Sequence, residues 1–255
     1  PTETWDKEFY LANLININFM EWTLDYENIH LNPLMNDKGR KKITELSKKN
    51  NIQINSVTGD CFMQKPFWKN TPEKEDLKEI FIDVCYSCNK LGIRYIVVPL
   101  VDNGSIKNDY EKSNLLSFLS KNTSLFRKLS IMILFESDFD PENLFTFIDC
   151  LPRDVFGINY DTGNSASMGY RPSKEFAFYG DRILNVHIKD RVYKGNTVSL
   201  GKGDTDFKTV FFLLKKYKYN GNLILQAARS ENSQHCEILE VYKDYVLDWM
   251  TEVDL

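Results

Sequence analysis

The sequence predicts one (β/α)8 barrel spanning residues 1–255, and three observations predict it. Apolar strand-like runs alternate with helical segments along the whole chain, no linker rich in Pro, Gly and Ser divides it, and polar side chains close the apolar runs. Regular β-then-α alternation requires a parallel sheet, and its near-uniform repeat favours a closed barrel over a doubly wound open sheet. With 255 residues, 42% of them hydrophobic and 13% aromatic, the chain carries enough apolar mass for a single core.

Trp5, Phe9, Ala12, Leu14 and Ile15 make the apolar stripe of an opening helix, and residues 18–22 follow as a strand that ends in Glu21. A helix over 38–49 then precedes a strand over 52–57. Next comes a helix over 72–91, with Thr71 as its cap and Pro72 at its first position, and a strand over 95–100. The pattern repeats as helix 109–129 with strand 131–135, a short helix 142–150 with strand 155–160, and a helix 173–179 that stops at Gly180 before strand 183–188. A helix over 206–217 leads to strand 223–226, and a helix from about 233 to 250 closes the chain.

Seven strands are visible, with one helix ahead of the first of them. The expectation is that the first strand of an eight-stranded barrel is missing from this chain and that a native N-terminal extension supplies it, because proteins rarely leave a long strand edge uncovered; a genuinely seven-stranded or open barrel is the alternative.

The charge balance, 32 Lys+Arg against 36 Asp+Glu, gives a net charge of −4 with no basic block, so nucleic acid is not the expected partner. The chain has no apolar run long enough to span a membrane and no leader-like start; a cytoplasmic enzyme with a small-molecule partner is expected. Cys85 and Cys88 form a Cys-x-x-Cys spacing, yet they share helical periodicity with Leu77, Phe81, Val84 and Leu91. That places both thiols in a buried stripe, where cysteine is inert.

In such a barrel the working face lies at the C-terminal ends of the strands. The residues that close the apolar runs are Glu21, Asp60, Glu136, Asp161, His187 with Lys189 and Asp190, and Gln226 with Arg229. Glu136, Asp161 and His187 offer two carboxylates and an imidazole, and Gln226 adds an amide oxygen. This set suits Mn²⁺ or Zn²⁺, with Mg²⁺ or Co²⁺ as alternatives. An ion with open positions polarises the carbonyl of a chelating hydroxy-ketone, and a carboxylate beside it moves the α-proton. Glu21, Asp60, Lys189, Asp190 and Arg229 are the candidate substrate-binding residues. Lys189, Arg191 and Arg229, with the Gly201-Lys202-Gly203 loop, form a candidate phosphate subsite. Trp22, Phe62, Trp68 and Phe135 are candidates for an apolar wall against a sugar ring.

Met20-Glu21-Trp22, Tyr160-Asp161-Thr162-Gly163-Asn164, Val186-His187-Ile188-Lys189-Asp190, Leu200-Gly201-Lys202-Gly203-Asp204 and Tyr219-Asn220-Gly221 together resemble the xylose-isomerase-like TIM barrels, in particular the sugar phosphate isomerase/epimerase group. The resemblance implies a Glu/Asp/His/Glu metal set whose two glutamates act as acid and base. By position it falls on Glu136, Asp161, His187 and Gln226. Gln226 departs from the pattern, because an amide coordinates but does not exchange protons as a carboxylate does.

The pair needed for two-face epimerisation is thus incomplete, and isomerisation with Glu136 as a single proton shuttle is favoured unless Glu21, Asp60 or Lys189 supplies the second group. The resemblance also implies a sugar or sugar-phosphate substrate and pairing of barrels into a homodimer. Two alternatives use the same residues differently. One is a metal-dependent dehydratase or lyase, and the other is a non-catalytic carbohydrate-binding barrel, for which Gln226 argues. A DNA-repair nuclease on this barrel needs a histidine-rich zinc cluster, and three histidines with an acidic balance argue against it.

Overall fold

The computed structural model describes residues 4–228 and 234–255. Two compact units comprise the residues up to Ser137 with Leu151–Phe156, and Asp138–Cys150 with the residues from Gly157 onward. Among the described residues seven strands form one parallel sheet whose neighbours follow chain order, the sequential order of a (β/α) barrel.

The first unit contains α1 (Trp5–Leu14), β1 (Phe19–Thr23), α2 (Asp37–Asn50), β2 (Gln53–Thr58), α3 (Asp60–Gln64), α4 (Lys74–Leu91), β3 (Tyr95–Leu100), α5 (Asp109–Lys128) and β4 (Met132–Ser137). Register puts Glu21 opposite Ser56, Ser56 opposite Tyr95, and Tyr95 opposite Met132. Since side chains of one strand alternate faces, Glu21 shares a face with Glu136 but stands level with Met132, four residues earlier. Glu21 is therefore a mid-strand residue, because β1 runs on to Thr23, and its predicted place at the strand end is corrected.

Leu77, Phe81, Val84, Cys85 and Cys88 form the buried stripe of α4, as their spacing predicts. Burial raises the pKa of both thiols well above the usual cysteine value, which keeps them protonated and unreactive. Around them Phe62, Phe67, Trp68, Phe81, Phe118 and Phe126 interlock with ring centroids 4.7–6.2 Å apart. Trp68 Nε1 donates to the Gly104 carbonyl at 3.0 Å, and Phe135 stacks on Phe156. Trp22 Nε1 donates to Asn32 Oδ1 while its ring meets the Trp5 edge. The four aromatics proposed as a sugar wall are thus packing residues of this unit, all of them buried.

The second unit contains α6 (Pro141–Asp149), β5 (Phe156–Asp161, whose first residue belongs to the other unit), α7 (Thr162–Met168), α8 (Pro172–Tyr179), β6 (Ile183–Ile188), β7 (Asp190–Arg191), β8 (Thr197–Val198), α9 (Phe207–Lys216), β9 (Asn222–Leu225) and α10 (His235–Val253). Asp140 caps α6 by accepting from the amides of Glu142 and Asn143, with Pro141 at the first helical position. α9 buries Phe207, Val210, Phe211 and Leu214, and Trp249 of α10 stacks on Phe207 at 4.2 Å.

Two helix ends differ from expectation. α4 begins at Lys74 rather than at Pro72, because Thr71 Oγ1 accepts from the Glu73 amide in a local turn, which leaves residues 72 and 73 outside the helix. Gly180 does not take the left-handed cap of α8. Its φ is −57°, and the chain continues into a short 3₁₀ turn. A glycine stands there because an added Cβ would lie 2.8 Å from the Tyr217 ring.

Candidate metal centre

Glu136 is the penultimate residue of β4, Asp161 ends β5, and His187 in β6 is the register partner of Asp161. Their side chains are buried at 6%, 4% and 1% residue exposure. Each offers one ligand atom, and these atoms lie within 4.8 Å of one another, the one such group among the described residues. Atoms bound about 2.1 Å from one ion stand roughly 3–4 Å apart, so two carboxylates and an imidazole at this spacing fit a transition-metal centre after small side-chain adjustments.

Asp161 has two tasks. Its Oδ1 accepts from the Asn164 amide at 2.7 Å and caps α7, which fixes the carboxylate plane, while Oδ2 faces the Lys189 ammonium at 3.5 Å. One layer below on the same face, Asn185 Nδ2 donates to Asn159 Oδ1 at 2.8 Å. This buried amide pair, two residues before each of Asp161 and His187, went unrecognised in the sequence; the i, i+2 alternation is the signal that locates it.

Gln226 follows β9. Its Oε1, the atom expected on the metal, accepts from Lys189 Nζ at 3.1 Å. Lys189 is accordingly directed at Gln226 and Asp161. Asp60 opens α3 and accepts from the Thr58 hydroxyl at 3.3 Å, while Glu21 lies within β1. Arg229 lies outside the described residues.

Asp190, expected as a substrate-binding residue, has both carboxylate oxygens engaged within the chain. Its Oδ2 accepts from the amides of Gly201 and Gly203 at 2.9 and 2.8 Å, and its Oδ1 accepts from the Thr205 amide at 3.2 Å. The loop foreseen as an anion cradle does bind an anion, and that anion is this chain's own carboxylate. Gly203 is required by the close approach, since a Cβ there would stand 2.3 Å from Asp190 Oδ1. At the helix beyond it, Asp206 Oδ1 accepts from the Thr209 amide and caps α9. Arg191 donates to Asn164 Oδ1 and twice to the Gly195 carbonyl, which orders the β7–β8 hairpin and uses the guanidinium internally.

Asp190→Ala leaves three amides without their acceptor. At about 1 kcal/mol or more each, the expected cost is about 3 kcal/mol, or roughly 6–12 °C in Tm for a chain of this size. A thermal melt that does not move would remove Asp190 from this scaffold role.

The strand-ordered parallel sheet and the Glu136, Asp161 and His187 group, whose ligand atoms are spaced to hold a metal ion, place the chain among the (β/α) barrels. Residues 9–245 match the family model of the xylose isomerase-like TIM barrels, and the chain belongs to that family. Inosose dehydratase from Clostridium perfringens is 22% identical over 224 residues, covering 73% of this chain and 72% of the relative. Among solved structures, the IOLI protein with a bound zinc atom superposes with a TM-score of 0.79 at 17% identity, covering 98% of this chain and 94% of that one. D-allulose 3-epimerase from Methylomonas sp. gives a TM-score of 0.78 at 16% identity, with 98% and 93% coverage. At these identities the structural likenesses establish the fold alone. No helix among the described residues is long and apolar enough to cross a membrane.

Proposed function

We propose that this chain is a divalent-metal-dependent isomerase or epimerase acting on a sugar by proton transfer next to a polarised carbonyl. The observation that carries the reading is the convergence of Glu136, Asp161 and His187 on one small volume. A zinc-bound neighbour and a sugar-epimerase neighbour on the same fold support it. When bound, a divalent ion, Mn²⁺ or Zn²⁺ in view of the imidazole, supplies the Lewis acidity that makes an α-hydrogen acidic.

The chain's own residues do the rest. In isomerisation Glu136 would take the proton from the hydroxyl-bearing carbon beside the carbonyl and return it to the carbonyl carbon, while the hydroxyl proton passes to the former carbonyl oxygen, leaving the new carbonyl on the first carbon. Asp161, with Oδ1 pinned by the Asn164 amide, keeps Oδ2 in a fixed direction. Gln226 contributes a dipole and no proton.

The substrate class favoured is an unphosphorylated sugar or polyol ketone. Two of the cations foreseen for a phosphate, Lys189 and Arg191, are engaged inside the protein, and the loop amides serve Asp190. All five cysteines are free thiols, which supports a reducing, cytoplasmic setting, and a homodimer is part of the same proposal.

A second reading has a specific support. The inosose dehydratase relative makes dehydration after the same first proton abstraction the alternative outcome. Incubating metal-loaded protein in D₂O with aldoses, ketoses, inososes and their phosphates tests both readings. Deuterium gained without change of skeleton supports isomerisation or epimerisation, loss of one water from the product mass supports the dehydratase, and no exchange or product with any unphosphorylated compound contradicts the proposal.

A further inference from the structure

Lys189 is built into place from several directions. The Thr162 hydroxyl donates to the Lys189 carbonyl at 2.6 Å and accepts from the Lys189 amide at 2.9 Å, so one side chain clamps both backbone groups. The Thr205 hydroxyl donates to the same carbonyl at 3.3 Å. The stem runs over Gly163, where an added Cβ would stand 2.8 Å from Lys189 Cγ and 3.0 Å from its Cβ, so only glycine leaves the path open. At the end of this path a side chain that is 17% exposed brings its ammonium to Gln226 Oε1 and Asp161 Oδ2.

A lysine held at backbone, stem and head differs from a solvated rim cation. Its ammonium takes the oxygen that Gln226 would otherwise offer an ion and shares an oxygen of Asp161, itself one of the three convergent ligands. We propose that Lys189 is the resident cation of the centre. It keeps Gln226 as its own partner, leaves Glu136, Asp161 and His187 as the protein ligands of the divalent ion, and sets how tightly that ion is held. This inference rests on the metal-centre reading above.

The sign follows from charge and from competition. A fixed positive charge beside a divalent ion repels it, and the repulsion is strong at a buried site. Removing the ammonium also frees Gln226 Oε1 to coordinate. Both effects tighten metal binding, whereas a merely structural lysine would loosen the site when lost.

The test is calorimetric titration of Mn²⁺ into metal-stripped protein, read as affinity rather than activity. Lys189→Met is expected to bind Mn²⁺ about tenfold more tightly than the parent, or about 1.4 kcal/mol. Lys189→Gln is expected to tighten binding in the same direction, which keeps the test alive should the Met variant not fold. Gln226→Ala is expected to leave the parent affinity within about threefold while weakening binding in the Lys189→Met background, a coupling that a double-mutant cycle reads directly. Equal or weaker Mn²⁺ binding in both Lys189 variants, with His187→Ala still abolishing it, overturns this inference and spares the metal centre. A Gln226→Ala loss in the parent as large as that of His187→Ala overturns it as well, since Gln226 would then be a ligand. No Mn²⁺ binding by the parent or by either Lys189 variant overturns both readings together.

Discussion

Glu136→Gln is expected to lower solvent-deuterium exchange into the substrate by about 10²–10⁴-fold while leaving the fold unchanged. The amide keeps the size and one carbonyl oxygen of the side chain but loses the capacity to accept and return a proton. Neither Gln226 nor Asp161 replaces it, because Gln226 is already an amide and Asp161 is bound to the Asn164 amide and the Lys189 ammonium. Metal affinity is expected to fall more modestly, since an oxygen ligand remains. Deuterium exchange measured at saturating Mn²⁺ separates the two effects, and exchange at the parent rate would remove Glu136 as the base.

The second large effect lies away from the metal centre. Glu175 is buried between β5 and its following helices, where its carboxylate accepts from the hydroxyls of Tyr160 at 2.9 Å, Ser165 at 2.5 Å and Tyr179 at 2.9 Å. Glu175→Ala removes the shared acceptor of three buried hydroxyls, leaving Tyr160 and Ser165 only their bond to each other, and opens a void. The expected cost is about 3–5 kcal/mol, which lowers Tm by roughly 6–20 °C.

Glu175→Gln behaves differently, and pH shows why. Burial raises the Glu175 pKa above the usual glutamate value of 4.5, against the hydrogen bonds from Ser165, Tyr160 and Tyr179 that lower it. A folded pKa above the unfolded one means the folded state binds the proton more tightly. The stability tied to that proton is fully present below about pH 4.5 and is lost as pH rises through the raised value. The neutral amide has no such loss, so the Tm of Glu175→Gln relative to the parent is expected to climb from pH 4.5 towards neutrality. A difference independent of pH, or one that shrinks as pH rises, would contradict this account.

Much of this was legible in the sequence, for identifiable reasons. The β3 span 95–100 and the β6 span 183–188 are apolar runs bounded by turn residues, and the observed strands coincide with them. Glu136, Asp161 and His187 were readable as candidates because each ends or nearly ends such a run, and Asp161 and His187 are register partners on adjacent parallel strands.

Other features left no periodic trace. α3 has five residues and α7 has seven, and β7 and β8 have two each, all too short for a repeat to register. The Gly201-Lys202-Gly203 loop looked ready for an external anion because nothing in its spacing shows that Asp190, eleven residues before Gly201, fills it. Trp68 and Phe62 looked available to a ligand because aromatic side chains serve cores and sugar sites alike, and only packing against Phe67 and Phe81 tells the two apart. Gln226 was readable as a departure from the family pattern, whereas its bond to Lys189 depends on the path over Gly163, which spacing alone does not reveal.

Anomalous diffraction from crystals soaked in Mn²⁺ tests the central claim most directly. The account predicts a single strong peak about 2.0–2.3 Å from a carboxylate oxygen of Glu136, a carboxylate oxygen of Asp161 and an imidazole nitrogen of His187. A manganese peak bound elsewhere, with none among these three side chains, would contradict it.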